Sequence, residues 1–246
     1  MRGKYQVVLL ALFAMALLIV PTAARAGTNF GLTLSSGSTT DVVCDNNIDF
    51  TGCTHNSPDQ LSQLDALQFS GSVGGWNVQS TTGTTNPVLN LPELMDMTNT
   101  SVSTNGAAPI TLLLTLTGLT GPLGNQLFIN SIGGTSTGNV AMSINVWLSQ
   151  ANTAFCASGS CGTDVLSQSF NLTGVGTLFG NKTSGTALTG SGPYSLTLAI
   201  TIDGHGSAAD VTFDDNLSIP EPATLSVLGA GLLALGTGLR KKLLRG

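Results

Sequence analysis

Apolar and polar residues alternate with a period of two through most of the chain. Val140, Met142, Ile144, Val146 and Leu148 alternate with Ala141, Ser143, Asn145 and Trp147, and the pattern recurs in 111–119 and 196–202. Successive side chains of a strand point to opposite faces, so each run predicts a half-buried strand with one apolar side. Strands are expected near 29–35, 67–72, 75–80, 100–104, 109–119, 125–132, 139–149, 167–173, 194–202 and 208–218. Glycine-rich turn signals separate them, at Gly74-Gly75, Gly133-Gly134, Gly138-Asn139, Gly174 to Gly176 and Asp203-Gly204. Helical spacing occurs from Pro58 to Leu67, where Leu61, Leu64 and Leu67 share a face, and a second short turn is expected from Pro92 to Met97. The stretch 81–99 reads as an irregular loop. Short strands between frequent turns predict an all-β domain, a single antiparallel, jelly-roll-like sandwich over residues 27–218.

Both ends break this pattern. Arg2 and Lys4 precede an unbroken apolar run from Val7 to Val20, Pro21 ends it, and Ala24 and Ala26 frame a small-residue cleavage site. Residues 1–26 therefore read as a secretory signal peptide that leaves Gly27 at the mature N-terminus. The expected partners are the Sec translocon and signal peptidase. At the other end, the rigid tripeptide Pro220-Glu221-Pro222 precedes an apolar run of 17 residues, Ala223 to Leu239, and then Arg240, Lys241 and Lys242. As a helix the run is about 25 Å long, at the short limit for spanning a bilayer, and the basic end holds the terminus on the cytoplasmic side. The prolines disfavour helix at the residues before them and present an extended segment just outside the membrane.

The order Pro220-Glu221-Pro222, apolar helix, Arg240-Lys241-Lys242 resembles the PEP-CTERM sorting domain of Gram-negative bacteria. The resemblance is confined to residues 219–246. It implies that an exosortase, an integral-membrane protease, recognises and cleaves the tail, and that the host makes extracellular polysaccharide or biofilm. The expected route is export, anchoring in the inner membrane through the tail helix, then processing and delivery to the surface or medium.

Charge alters the picture once the two ends are set aside. The whole chain carries −5, yet between Gly27 and Ile219 Lys182 is the one Lys or Arg against twelve acidic residues, a formal charge near −11. A phosphate-binding surface is absent, so nucleic acid is not an expected partner. Four cysteines in an exported chain imply disulfides; three connectivities are open, with Cys44–Cys53 and Cys156–Cys161 the local choices, read as clamps on exposed loops.

Candidate chemistry is sparse. Asp45, Asn47 and Asp49 occupy alternate positions, as in the first half of an EF-hand loop, but the loop's glycine and closing glutamate are missing. A solvated turn accounts for them, and a Ca²⁺ site requires oxygens from elsewhere in the chain. Asp214-Asp215-Asn216 reads equally as a protective charge on an edge strand. His55 and His205 belong to no recognisable nucleophile, zinc or nucleotide motif, and the exported region holds a single glutamate, Glu93. An enzyme, such as a secreted hydrolase, is not expected. Trp147 should point away from the apolar face of its strand, so Trp147 and Tyr194 are candidates for a glycan platform, and Trp76 for a core anchor. The expected function is that of a non-enzymatic surface or matrix protein, with a carbohydrate-binding or adhesive module as the alternative.

Overall fold

The computed structural model describes residues 29–85, 93–121, 123–190 and 192–220. The expected signal peptide with its cleavage site, and the expected sorting tail from Glu221 onward, lie outside the described residues. Among the described residues no helix is long and apolar enough to cross a membrane.

Ten antiparallel strands form the domain: β1 (Asn29–Ser36), β2 (Thr39–Cys44), β3 (Ala66–Val73), β4 (Trp76–Thr85), β5 (Glu93–Asn105), β6 (Ile110–Leu119), β7 (Gly124–Ser149), β8 (Thr163–Thr189), β9 (Tyr194–Asp203) and β10 (Ala208–Ser218). They hydrogen-bond in the order β2-β1-β6-β9-β7-β10-β5-β4-β3, with β8 paired to β7. One strand serves two layers. Residues 141–149 of β7 pair with β9, whereas 129–137 pair with β10. The result is a nearly closed β-sandwich whose layers share β7 and its partner β8.

The predicted alternation generates the core. Met142, Ile144, Val146 and Leu148 of β7 are buried beside Leu112, Leu114 and Leu116 of β6 and Leu196, Leu198 and Ile200 of β9. The second layer contributes Met95, Met97, Val102, Val211, Phe213 and Leu217. Each such side chain adds roughly 1.5–3 kcal/mol when fully buried. Trp76 is fully buried and donates its indole N–H to the Ala108 carbonyl at 2.6 Å, as expected of a core anchor.

The turn signals inside β7 and β8 mark a corner instead of a chain reversal. A Cβ at Gly134 would collide with the Thr212 carbonyl, and one at Gly138 (φ +106°) would lie 2.6 Å from the Ala208 carbonyl. Glycine lets β10 approach where β7 passes between layers. The strands expected at 125–132 and 139–149 are therefore one, and that at 167–173 is part of a strand reaching Thr189. The halves of β8 fold towards each other: Thr183 Oγ1 donates to Gln168 Oε1 at 2.8 Å, and the rings of Phe170 and Phe179 lie 5.3 Å apart.

Three further expectations fail for identifiable reasons. The segment 58–65 is not helical, and Leu64 is exposed. Buried Asp59 instead accepts the N–H groups of Leu61 and Gln68 at 3.0 Å and of Asn46 at 2.9 Å, bonds that compete with a helix. The backbone N–H groups of Asn56 and Ser57 bond the outer edge of β2 at Val42, and that of Gln60 bonds the outer edge of β3 at Gln68. The ends of the loop expected over 81–99 are strand, as is the turn expected at 92–97 from Glu93 onward, because β4 runs to Thr85 and β5 begins at Glu93; 86–92 lie outside the described residues. The strand expected at 100–104 is the second half of β5, and a bulge hid the first: Asn99 takes φ +51° and donates its N–H to Asp214 Oδ1 at 2.7 Å, which shifts the alternation. Finally, β2 carried no apolar alternation to announce it.

β10 lies between β7 and β5, so its acidic run does not protect an edge. Asp215 points into the core at 1% exposure, and neither carboxylate oxygen has a hydrogen-bond partner of ordinary geometry. Fully buried Asn130 is in the same condition on β7, as is Thr100 Oγ1 on β5. Burial, reinforced by the charge of Asp96, pushes the Asp215 carboxyl up to about 8, against the opposing pull of Asn130 and the Asn216 N–H. The group is neutral in the folded state at pH 7. A carboxyl whose folded pKa is raised permits most stability below its unfolded value, near pH 4, and stability is lost as pH climbs through about 8. Asp96, raised to about 6 by burial and by Glu93 and Asp214, adds to the lower part of that fall. Urea unfolding between pH 5 and pH 9 should show this decline. Asp215→Asn should flatten it above pH 6 and stabilise the protein at pH 8 by on the order of a few kcal/mol. An unchanged slope would assign the decline to other groups.

Candidate functional site

The outward positions of the layer β2-β1-β6-β9-β7 form a broad polar face, and two loops are folded onto one end of it. Residues 150–162, between β7 and β8, run back over the sheet. Phe155 donates its N–H to Thr115 Oγ1 at 3.2 Å, Ser195 Oγ donates to the Thr153 carbonyl at 2.6 Å, and Gly118 donates its N–H to Asn152 Oδ1 at 2.7 Å. The Cys156–Cys161 disulfide closes this loop and Cys44–Cys53 closes the other, the two local pairings among the three open from sequence. Both loops meet over Gly31, where a Cβ would stand 2.9 Å from the Phe155 ring and 3.1 Å from Cys53 Sγ. A side chain there would crowd the Phe155 ring and the Cys44–Cys53 bridge, and both would have to shift.

The bridges clamp these loops, whose residues 46–49, 51–52 and 158–160 are exposed, and their buried cysteines face the sheet. Cys44, Cys53 and Cys156 are buried, and so are Thr115, Thr197 and Ser195 beneath the loops. Sequence reasoning missed Gly31 and this threonine floor because strand pairings between residues some 80 positions apart bring them together. Polar groups under a cover must be paired, and Thr115 and Thr197 pair with one another at 3.1 Å.

At the margin of the cover, Trp147 points outward from β7, half-buried, with Thr197 and Asp164 as its cross-strand neighbours. Burial raises the Asp164 carboxyl's pKa, and a hydrogen bond from the Leu166 N–H opposes the shift. Tyr194 does not join Trp147. Its side chain is fully buried, its hydroxyl donates to the Gly121 carbonyl at 2.9 Å, and burial drives its pKa upward. Tyr194 is a core residue because it opens β9 on the inward register, paired with Leu119.

The residues considered for calcium are drawn to different partners. Asp45 Oδ2 accepts the Asp65 N–H at 2.8 Å, Asn47 Oδ1 accepts the Asp59 N–H at 2.6 Å, and Asp49 Oδ1 accepts the His55 N–H at 2.9 Å. Burial and then the charges of Asp65 and Asp59 raise the Asp45 carboxyl, while the Asp65 N–H opposes them. Asp49 is instead held low by the His55 N–H and the His55 ring, whose Nδ1 lies 2.6 Å away. Cys44 Sγ is near this pair, but as a disulfide sulfur it is not a thiolate ligand. Exposed His205 has Asp203 Oδ2 at 3.4 Å.

No protein-family model matches the chain, and no curated protein matches it. Among solved structures, it is similar to TmCBM61 in complex with β-1,4-galactotriose, at 14% identity over 61% of this chain and 86% of that one, TM-score 0.33. Similarity extends to the N-terminal cellulose-binding domain of Cellulomonas fimi β-1,4-glucanase C (15% identity, 51% and 80% covered, TM-score 0.33). A carbohydrate-binding module of the β-sandwich superfamily matches at 13% identity, with 79% and 86% covered and TM-score 0.35.

Opening the Cys156–Cys161 loop should loosen the cover. Loop-closure entropy puts the loss for Cys156→Ser at roughly 2 kcal/mol, a fall in Tm of about 4–8 °C under oxidising conditions. Differential scanning calorimetry checks it, and an unchanged Tm would show that the loop's hydrogen bonds hold it without the bridge.

Proposed function

We propose that the chain is an exported, non-catalytic carbohydrate-binding or adhesive module with a jelly-roll-like sandwich as its functional part. One observation carries this reading: Trp147 stands outward on a polar sheet face whose end is walled by the clamped loop 150–162. An indole face is apolar and its N–H polar, which suits the C–H face and hydroxyl rim of a sugar ring. The serine, threonine and asparagine side chains around it donate and accept without charge.

The two tryptophans of the exported region separate ligand binding from folding. Trp76 is buried in the core and Trp147 is half-buried at the surface, so a bound glycan should protect only Trp147 from acrylamide quenching. Affinity electrophoresis of the full-length protein should show retardation by a polysaccharide. Trp147→Ala should weaken it about tenfold or more, with Tm preserved. Retardation unaffected by that substitution would remove Trp147 from the site.

The same proposal includes the route. The tail motif supports anchoring in the inner membrane followed by exosortase-type processing near Pro220-Glu221-Pro222 and release to the surface or matrix. Intact mass of the protein from the native host's membranes and medium should give a released chain that starts at Gly27 and has lost Arg240 to Gly246. Protein still carrying Leu239 to Gly246 in every fraction would make the tail a plain anchor.

A further inference from the structure

The register of the sheet aligns one hydroxyl from each of six adjacent strands. Thr40 of β2 is paired with Ser35 of β1, Ser35 with Thr111 of β6, and Thr111 with Thr201 of β9. The series continues from Thr201 to Ser143 of β7 and from Ser143 to Ser169 of β8. All six are outward, and none is buried. The row therefore crosses the whole face at right angles to the strands, one hydroxyl for every strand spacing of roughly 4.8 Å. Thr111 and Thr201 lie 3.1 Å apart through their Oγ1 atoms, which fixes both rotamers and still leaves acceptor sites free.

The row has no charge in it. Aspartates interrupt the corresponding rows of the other layer, where Asn216 lies between Ser131 and Asp96, and Asp210 between Thr137 and Ser103. Lys182 belongs to that other layer too, paired with Ser131. Beside the hydroxyl row, half-buried Leu113 adds apolar surface between Thr33 and Ala199. The combination offers repeated neutral hydrogen bonding along a line, with an apolar strip next to it.

We infer that this row is a binding track for an extended, uncharged polysaccharide lying across the strands, with about one sugar residue per strand. The inference rests on the carbohydrate-binding reading above and names its ligand class and path. A single neutral hydrogen bond contributes little net free energy, so the track acts through repetition. A polyanion would meet a domain with one lysine against twelve acids, and no cation of the described residues lies on the row. Trp147 lies four residues along β7 from Ser143, roughly 13 Å at strand rise, so it grips at the side of the track and not within it.

The test uses full-length protein in affinity electrophoresis against a neutral β-glucan, a neutral galactan and polygalacturonate. The track variant is Thr111→Val/Thr201→Val/Ser143→Ala, which removes three hydroxyls and keeps the β-branched shape at two positions. Its control is Ser101→Ala/Thr212→Val on the other layer. Wild type should be retarded by a neutral polymer and not by polygalacturonate. The track variant should bind at least tenfold more weakly, and the control within twofold of wild type. If the track variant fails to fold, Thr40→Val/Ser169→Ala at the exposed ends should show a smaller loss of the same kind. Wild-type binding by the track variants, with binding lost in Trp147→Ala, overturns the track and leaves the carbohydrate reading standing. Preference for polygalacturonate overturns the neutral ligand class. Retardation by none of the polymers overturns both the track and the reading on which it rests.

Discussion

The structure depends on the pairing of β7 with β8 along almost their whole lengths. A strand of 26 residues is far longer than the five or six usual for strands, and a straight one would leave the core. Glycine at the corner resolves this. Because Gly134 and Gly138 have no Cβ, β10 packs against the bend, and one strand presents its apolar residues first to one layer and then to the other. Every other strand takes its place by hydrogen-bonding outward from this frame. The two layers are thus joined by continuous backbone, and sliding one over the other would break the β7–β8 ladder.

Function-related features are arranged around the same frame. The loop that closes the β7–β8 hairpin carries the Cys156–Cys161 bridge and folds back onto β6 and β9, while the pairing of β7 with β8 and β9 places Trp147. The face is rigid for a reason separate from its surface chemistry: its inward side is packed with Leu, Ile, Val and Met from the same strands. A flat array of weak hydrogen-bonding groups is useful only if it is held in place before the ligand arrives.

Much of this was legible in the sequence because alternation is a local signal. The strands at 29–36, 110–119, 194–203 and 208–218 were read nearly to the residue, and the Gly74-Gly75 hairpin and Trp76 anchor followed from local rules. Where the reading failed, the deciding interaction was distant. Gly133, Gly134 and Gly138 look like turn residues until β10 is placed against them. The bulge at Asn99 depends on Asp214, more than a hundred residues later. Tyr194 was the exception: it shares the parity of Leu196, Leu198 and Ile200, so the alternation of its own strand already pointed it inward. The hydroxyl row was invisible because its six members come from six separate stretches, and only pairing aligns them.

The segment around Asn56 to Gln60 has a consequence for how copies of the domain meet one another. It bonds the free edge of β2 through Val42 and that of β3 through Gln68, while the halves of β8 close on one another across Gln168 and Thr183. Unsatisfied strand edges are templates on which other chains add strands. At Val42 and Gln68 loop backbone takes the place a neighbouring strand would occupy, so the two end strands of the sheet are closed to addition at those points.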